Sequence, residues 1–503
     1  MKNIIYFLLL SGMMACSSNF LDKYPLDKVS VDNFWRSEED VKLALTGCYA
    51  LLSAQSDNNT IAEGFGAFTM YWDGISDDAW PRTGSFNSIA TSQLEPTTGG
   101  IVNDMYSMNY KAIATCNYFL ANVDKANMNA ATTAQYKAQV YFLRAYYYSQ
   151  LCKTYGGVII TLKPEDLNYA KDMKKSTKAQ VVEQVLKDID TALLSLPDEV
   201  YSGKIVKATA LGLKARVLLY NERWAEAAAA AKQIIDGGKF RIADEFYGLF
   251  VKPGQNNNPE IIFSARYQLP NLINTIDYQM GWDQWERIQP LKGLADAFEC
   301  KDGKKITESP LYDPVRPYEN RDARLRKTIY VPGDPWKYSA EGIFNPAKDG
   351  NNRTGFLVKK YLDTTRAPTD YSTRSDQDFV LIRYADILLM YAEAKNEVSG
   401  PDQSIYDAVN AVRGRKSVQQ PPLPAGLSAD EMRLRIRQER RVEFALEGLR
   451  YFDLLRWKTA ETVLPAVVNP GGVNRKFFPK NYVFPFPQTE VDSYLSLEQN
   501  DDY

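Results

Sequence analysis

The chain has 503 residues, with 60 Lys and Arg against 62 Asp and Glu, a net charge of −2, and no histidine. Without imidazole there is no Ser-His-Asp or Cys-His machinery and no His-containing zinc site, so paired carboxylates are the remaining route to hydrolysis. The even charge balance lacks the basic excess expected of a nucleic-acid binder, so no nucleic-acid partner is expected.

Met1-Lys2-Asn3 gives a charged start, Ile4 to Leu10 a short apolar run, and Ser11 to Ala15 small and flexible residues before Cys16. The run falls far short of the ~20 residues that span a bilayer, so residues 1–15 read as a secretory signal. Cys16, followed by Ser17-Ser18-Asn19, resembles the cysteine of a bacterial lipobox, with Met13 where leucine is usual. Lipidation at Cys16 would add two acyl chains plus one on the amine, a stable anchor where a single chain is not. No other segment is apolar enough to cross a membrane. The remaining cysteines, Cys48, Cys116, Cys152 and Cys300, are even in number and permit disulfides in an exported protein. The first three sit inside helical patterns and read as buried small hydrophobes. There is no CxxC motif for a metal or redox function.

Helical patterns dominate the rest of the chain. Ser37-Glu38-Glu39-Asp40 caps a run through Leu51, with Val41, Leu45 and Cys48 on one stripe. Residues 102–124 and 135–155 form a pair; in the second, Tyr136, Val140, Leu143, Tyr147 and Leu151 recur at three- and four-residue steps, and Gly156-Gly157 ends it. Ser176 to Leu196 is stopped by Pro197, and residues 205–221 and 224–236 form a hairpin closed by Gly237-Gly238. Leu381, Tyr384, Ala385, Leu388, Leu389 and Ala392 predict a strongly amphipathic helix. Residues 402–415 pair with it, and 428–459 continue the helical pattern with a break near Gly448. Residues 54–100 and 238–379 have no sustained helical period and are rich in Gly, Pro, Asn, Asp and aromatics; long insertions of this kind are usually functional or disordered, and their aromatic content argues against disorder. Leu211-Gly212-Leu213, Ala215, Tyr220 and Trp224-Ala225-Glu226-Ala227, echoed by Tyr391-Ala392-Glu393-Ala394 and Tyr406, resemble degenerate tetratricopeptide units, in which each hairpin buries a face by stacking on its neighbour.

Together these segments resemble the SusD/RagB family of Bacteroidetes surface lipoproteins. The resemblance is carried by Phe20-Leu21-Asp22-Lys23-Tyr24-Pro25, Phe34-Trp35, Gly47-Cys48-Tyr49, Tyr110-Lys111-Ala112-Ile113 with Asn117, Phe142 to Tyr148, Tyr155-Gly156-Gly157 and Asn258 to Phe263. It continues through Ile382 to Ala394, Glu439 to Phe444, Gly448 to Asp453 with Arg456-Trp457, Phe484-Pro485-Phe486-Pro487, and Gln499-Asn500 to Tyr503; Asp501-Asp502 stand where the family usually has Pro-Gly. The resemblance implies a mainly α fold: a single composite domain over 16–503, with a tetratricopeptide-like scaffold from 16–237 and 380–503, loop-rich insertions at 54–100 and 238–379, and few short strands. It also implies a non-catalytic lipoprotein on the cell surface, anchored in the outer membrane through Cys16. Such a protein captures oligosaccharide or polysaccharide and delivers it to a SusC-like TonB-dependent transporter. Peptide capture by the same kind of complex, or a helical-repeat adaptor that binds protein, are the competing readings. No cofactor is implied. A structural calcium among the acidic loops is left open, since no loop has EF-hand spacing.

Arg383, Glu439, Arg440, Glu443, Arg450 and Asp453 read as interhelical charge pairs of the scaffold, each worth little if exposed. Ligand-binding residues are therefore sought in the insertions. Sugar rings stack their apolar faces on aromatic rings, and their hydroxyls seek carboxylate, amide or guanidinium partners. Four of the eight tryptophans fall in two short loop segments. The first holds Trp72, Asp73, Asp77, Trp80 and Arg82, of which Asp77 and Arg82 match a Ser-Asp-acid…Arg stretch that contributes ligand contacts in starch-binding members. The second holds Trp282 and Trp285. The alternative for each is a loop aromatic plugged into the scaffold, or a charge that caps a loop or pairs with its neighbour.

Overall fold

The computed structural model describes residues 34–54, 67–82, 84–91, 94–164, 174–281, 285–336, 339–348, 351–365, 374–494 and 496–503. The signal segment, Cys16 and Trp282 lie outside the described residues. Ten helices carry the scaffold: α1 Glu38–Ala50, α2 Ile101–Asn122, α3 Ala130–Tyr155, α4 Lys178–Leu193, α5 Lys207–Tyr220, α6 Trp224–Gly237, α7 Tyr384–Ser399, α8 Gln403–Arg413, α9 Ala429–Glu443 and α10 Arg450–Arg456.

Local chemistry sets their ends. Ser37, Thr177 and Ser428 each close a capping box with the residue three positions on, satisfying two N–H groups that a helix start leaves orphaned. α3 begins earlier than its periodicity indicates, at Ala130, because Asn129 accepts a hydrogen bond from the Ala131 N–H at 2.8 Å. Consecutive helices then pack side by side from α2 to α7, and α7 also contacts α8 and α9. Gly212 lies at one such crossing, where a Cβ would approach Ile382 at 3.1 Å and Ile387 at 3.2 Å. This is the tetratricopeptide-like stack, with small residues at the close approaches.

The expected helix through Leu381 is corrected. Phe379–Arg383 is a strand, antiparallel to Ile261–Ala265, and the helix starts at Tyr384. The apolar run Phe379-Val380-Leu381-Ile382 suits a strand buried on both faces, whose continuous hydrophobic pattern cannot be told from a buried helix by period alone. Nor is α7 amphipathic over its first three turns, since every residue from Ala385 to Ala394 is buried. The same pairing closes the central insertion, since its first and last strands meet at the scaffold. In chain order these two are β2 and β6. β1 Ala79–Pro81 pairs with β3 Ile288–Pro290, and β4 Ile329–Tyr330 pairs with β5 Leu357–Val358.

The scaffold charges do pair between segments, but they are buried rather than exposed. Glu443 accepts from Arg383 at 2.6 Å, Arg415 at 2.7 Å and Arg324 at 2.8 Å, with all four side chains shielded from solvent. Arg440 bridges Asp386 and Asp453, both at 3.0 Å. Burial alone would raise the Glu443 carboxyl, but Arg415, Arg383 and Arg324 outweigh it and hold the group far below the carboxylate range. The four cysteines Cys48, Cys116, Cys152 and Cys300 are buried free thiols. No helix among the described residues is long and apolar enough to cross a membrane.

Candidate functional site

The two tryptophan-bearing segments, two hundred residues apart in sequence, meet on one antiparallel ribbon. Trp80 stands opposite Gln289, Ala79 opposite Pro290 and Pro81 opposite Ile288. The ladder continues at both ends, from the Leu291 N–H to the Asp78 carbonyl and from the Arg82 N–H to the Arg287 carbonyl, each at 2.9 Å. Strand alternation buries Ala79 and Pro81 and leaves Trp80 half-buried on the outer face. Trp285, three residues before β3, is also half-buried. Its indole N–H donates to the Tyr278 hydroxyl, and the Arg287 guanidinium lies 5.4 Å from its ring centroid.

Arg82 is half-buried beside Trp80, and its Nη1 is buried without a hydrogen-bond partner among the described residues. Gln289 and Arg353 carried no signal in the sequence. The Gln289 amide donates to the Asn351 carbonyl at 2.9 Å and accepts from the Arg353 N–H at 2.8 Å, so segment 351–353 flanks the ribbon. A glutamine in a strand, and an arginine 64 residues on, give no pattern by which they could have been found.

Two candidates are corrected. Trp72 lies on a one-turn helix, Tyr71–Gly74, and is 2% exposed. Its ring packs against Phe452 at 4.9 Å, Phe484 at 5.6 Å, Phe86 at 5.8 Å and Tyr451 at 6.2 Å, so no face is left for a ligand. Asp73 is fully buried and accepts from the Gly448 N–H at 2.6 Å. Burial, reinforced by Asp78, pushes its carboxyl well above the usual range. That contact requires glycine at 448, where φ is +75° and a Cβ would sit 2.0 Å from the Thr69 carbonyl oxygen.

Asp77 takes part in anchoring the loop. Arg450 grips it with two hydrogen bonds of 2.8 and 3.0 Å, and Arg441 reaches it at 3.0 Å while also pairing with Asp78 at 2.7 Å. Buried Arg475 donates to the Ser76 and Ala79 carbonyls from the other side. The Ser76-Asp77-Asp78 turn is thus held by three arginines from the C-terminal part of the chain. Burial works to raise the Asp77 carboxyl, but Arg441 and Arg450 prevail and bring it down to about 2. A carboxylate with a depressed folded pKa stabilises fully above its ordinary value of 3.8 and loses that contribution as pH falls toward about 2. The stability difference between wild type and Asp77→Asn therefore narrows as pH is lowered from about 4 to about 2, readable by urea denaturation across that range; a difference independent of pH there would refute the assignment.

The candidate that remains is a ribbon carrying half-buried Trp80, followed by Arg82, with Trp285 and Arg287 just before its second strand and the Ser76-Asp77-Asp78 turn just before its first. Such a surface offers flat apolar faces and hydrogen-bond donors at their edges. The sequence model described as "SusD family" matches residues 251–503, half of the chain. The chain belongs to the SusD family. A second model, described as "Starch-binding associating with outer membrane", matches residues 19–219 of this SusD-family chain. SusD-like protein P38 of Formosa agariphila is 26% identical over 500 residues, covering 92% of each chain. A SusD-like carbohydrate binding protein of Bacteroides fragilis superposes with a TM-score of 0.83 at 26% identity, covering 92% of this chain and 100% of its own. A second SusD-like protein of Bacteroides fragilis gives a TM-score of 0.81 at 24% identity, covering 96% of this chain and 100% of that one, which establishes likeness of fold.

Proposed function

We propose that the Trp80–Trp285 ribbon captures an oligosaccharide or polysaccharide without cleaving it. The observation that carries this reading is the antiparallel pairing of the two tryptophan-bearing segments, which puts half-buried Trp80 on one strand, with Arg82 just after it, and half-buried Trp285 and Arg287 just before the other. The likeness to a Bacteroides fragilis protein described as carbohydrate binding supports it. So does the state of the two carboxylates next to the first strand: Asp77 and Asp78 are tied to Arg441 and Arg450, so this pair is not left free as one acid and one base. In this reading the protein is anchored through lipidated Cys16 at the outer face of the outer membrane and hands its cargo to a SusC-like TonB-dependent transporter.

A shallow stacking site gives modest affinity, set more by the shape of the glycan chain than by single contacts. Calorimetry of the mature chain against a panel of α- and β-glucans, mannans, acidic glycans and peptides tests the reading. Binding to one glycan class is expected, and Trp80→Ala and Trp285→Ala should each weaken it by about tenfold, roughly 1.4 kcal/mol. Heat from peptides alone, or glycan affinity unchanged in both variants, would sink it. New reducing ends in stoichiometric excess over protein would overturn the non-catalytic part.

A further inference from the structure

A second concavity lies within the scaffold, bounded by α3, α4, α5 and α10, and no residue of the ribbon lines it. Its volume is about 450 Å³, within the range that accepts a small organic molecule. Val185, Leu213, Val217 and Phe452 give it apolar walls and are themselves buried.

The charges around it are unbalanced. Arg216 is committed to Asp386 at 2.6 Å, and Arg456 to Glu393 at 2.6 Å and Asp453 at 2.8 Å. Lys153, Lys178 and Lys458 also line the cavity, against Glu222 as the one carboxylate among the lining residues. None of the three ammonium groups has an ion pair or hydrogen bond with a described residue. The Lys153 Nζ rests 4.2 Å from the centroid of the Phe452 ring, and that of Lys458 lies 4.7 Å from the Tyr482 ring. Lys153 is half-buried, whereas Lys178 and Lys458 are exposed, so it is the most enclosed of the three. A half-buried cation resting on a ring face is partly desolvated and has no carboxylate partner among the described residues.

We propose that this cavity binds a small carboxylate with an apolar body, its carboxylate paired with Lys153 and its hydrocarbon packed on Val185, Leu213 and Val217. The electrostatics agree. Burial, with the Arg216 charge adding to it, brings the Lys153 ammonium down to about 7. Among its neighbours, burial pushes the Cys152 thiol up to about 11 and the Tyr220 hydroxyl up to about 12. Arg216 and Arg456 are held in the cationic form by their carboxylate partners, overcoming the effect of burial. Lys178 from α4, with Glu222 and Lys458 at the rim, completes the set of charged groups facing the space. Near neutral pH Lys153 is therefore the group poised to change charge, and a bound carboxylate favours its protonated form. Binding takes up protons near pH 7 and weakens as pH rises.

The test is calorimetry of the mature chain with 4-phenylbutyrate and its neutral amide, 4-phenylbutyramide. The carboxylate should bind at least tenfold more tightly than the amide at about pH 6.5, and its affinity should fall roughly tenfold or more by about pH 8.5. Lys153→Met, which keeps the length and apolar stem, should erase the preference while retaining the wild-type melting temperature or exceeding it. Equal affinity for the two probes on the wild-type chain, absence of binding by either at millimolar concentration, or a pH-independent preference would each overturn the proposal without reliance on the variant. Trp80→Ala should leave the preference intact, which separates this site from the ribbon.

Discussion

Glu443→Leu lowers the stability of the protein by about 3–5 kcal/mol, a large share of the roughly 5–15 kcal/mol that holds a typical domain folded. Three buried guanidiniums converge on this one carboxylate: Arg383 and Arg415 on Oε1, Arg324 on Oε2. Each keeps another partner, Glu260 for Arg383 and Arg415 and Asp322 for Arg324, so the network would not vanish. What would be lost is the negative charge that compensates their mutual repulsion in a site without solvent. Glu443→Gln keeps the volume and should fall between the two. Urea denaturation of the purified mature chain reads the effect. A loss below about 1 kcal/mol for the leucine variant would mean that the remaining carboxylates already neutralise the cluster.

Trp72→Ala should be nearly as damaging, by about 3–5 kcal/mol, through the cavity left when a large aromatic ring is removed from a filled core. Its ring joins the short helix of the first insertion to Tyr451 and Phe452 of α10 and to Phe484 beyond it. The substitution separates two roles that the sequence left side by side. If Trp72 is scaffold, the folded fraction of the variant binds glycan with close to wild-type affinity, while its denaturation midpoint drops. Loss of glycan binding with unchanged stability would return Trp72 to the ligand face. Trp72→Phe should recover much of the packing.

The long helices were legible because their apolar residues recur at the helical period and their caps have chemical signatures, as at Ser37 and Ser428. Leu381 was misplaced since a doubly buried strand leading directly into a buried helix presents one unbroken apolar run. Of the candidate residues, the sequence could mark the loop aromatics but not the burial of their neighbours. Trp80 and Trp285 stood out as aromatics away from helical stripes, and the ribbon brings their segments together. Asp73 and Asp77 were ambiguous, because an aspartate in a loop has the same appearance whether it awaits a ligand or an arginine. Here the partners are Gly448 and Arg450, 375 and 373 residues distant, a separation that no local pattern encodes. Burial of the scaffold charges was invisible for a related reason: Arg324, Arg383 and Arg415 each come from a different part of the chain.

Arg475 carries a consequence for how the protein comes into being. Its guanidinium seats on the carbonyls of Ser76 and Ala79, while Arg441 and Arg450 clasp the aspartates between them. The first strand of the ribbon therefore leaves the ribosome long before its second strand, and longer still before the arginines that fix it. Closing contacts across such spans is slow and yields nothing until the late residues arrive. A chain truncated before residue 441 would lack all three arginines of the clasp, so the setting of the first strand depends on residues near the far end of the chain.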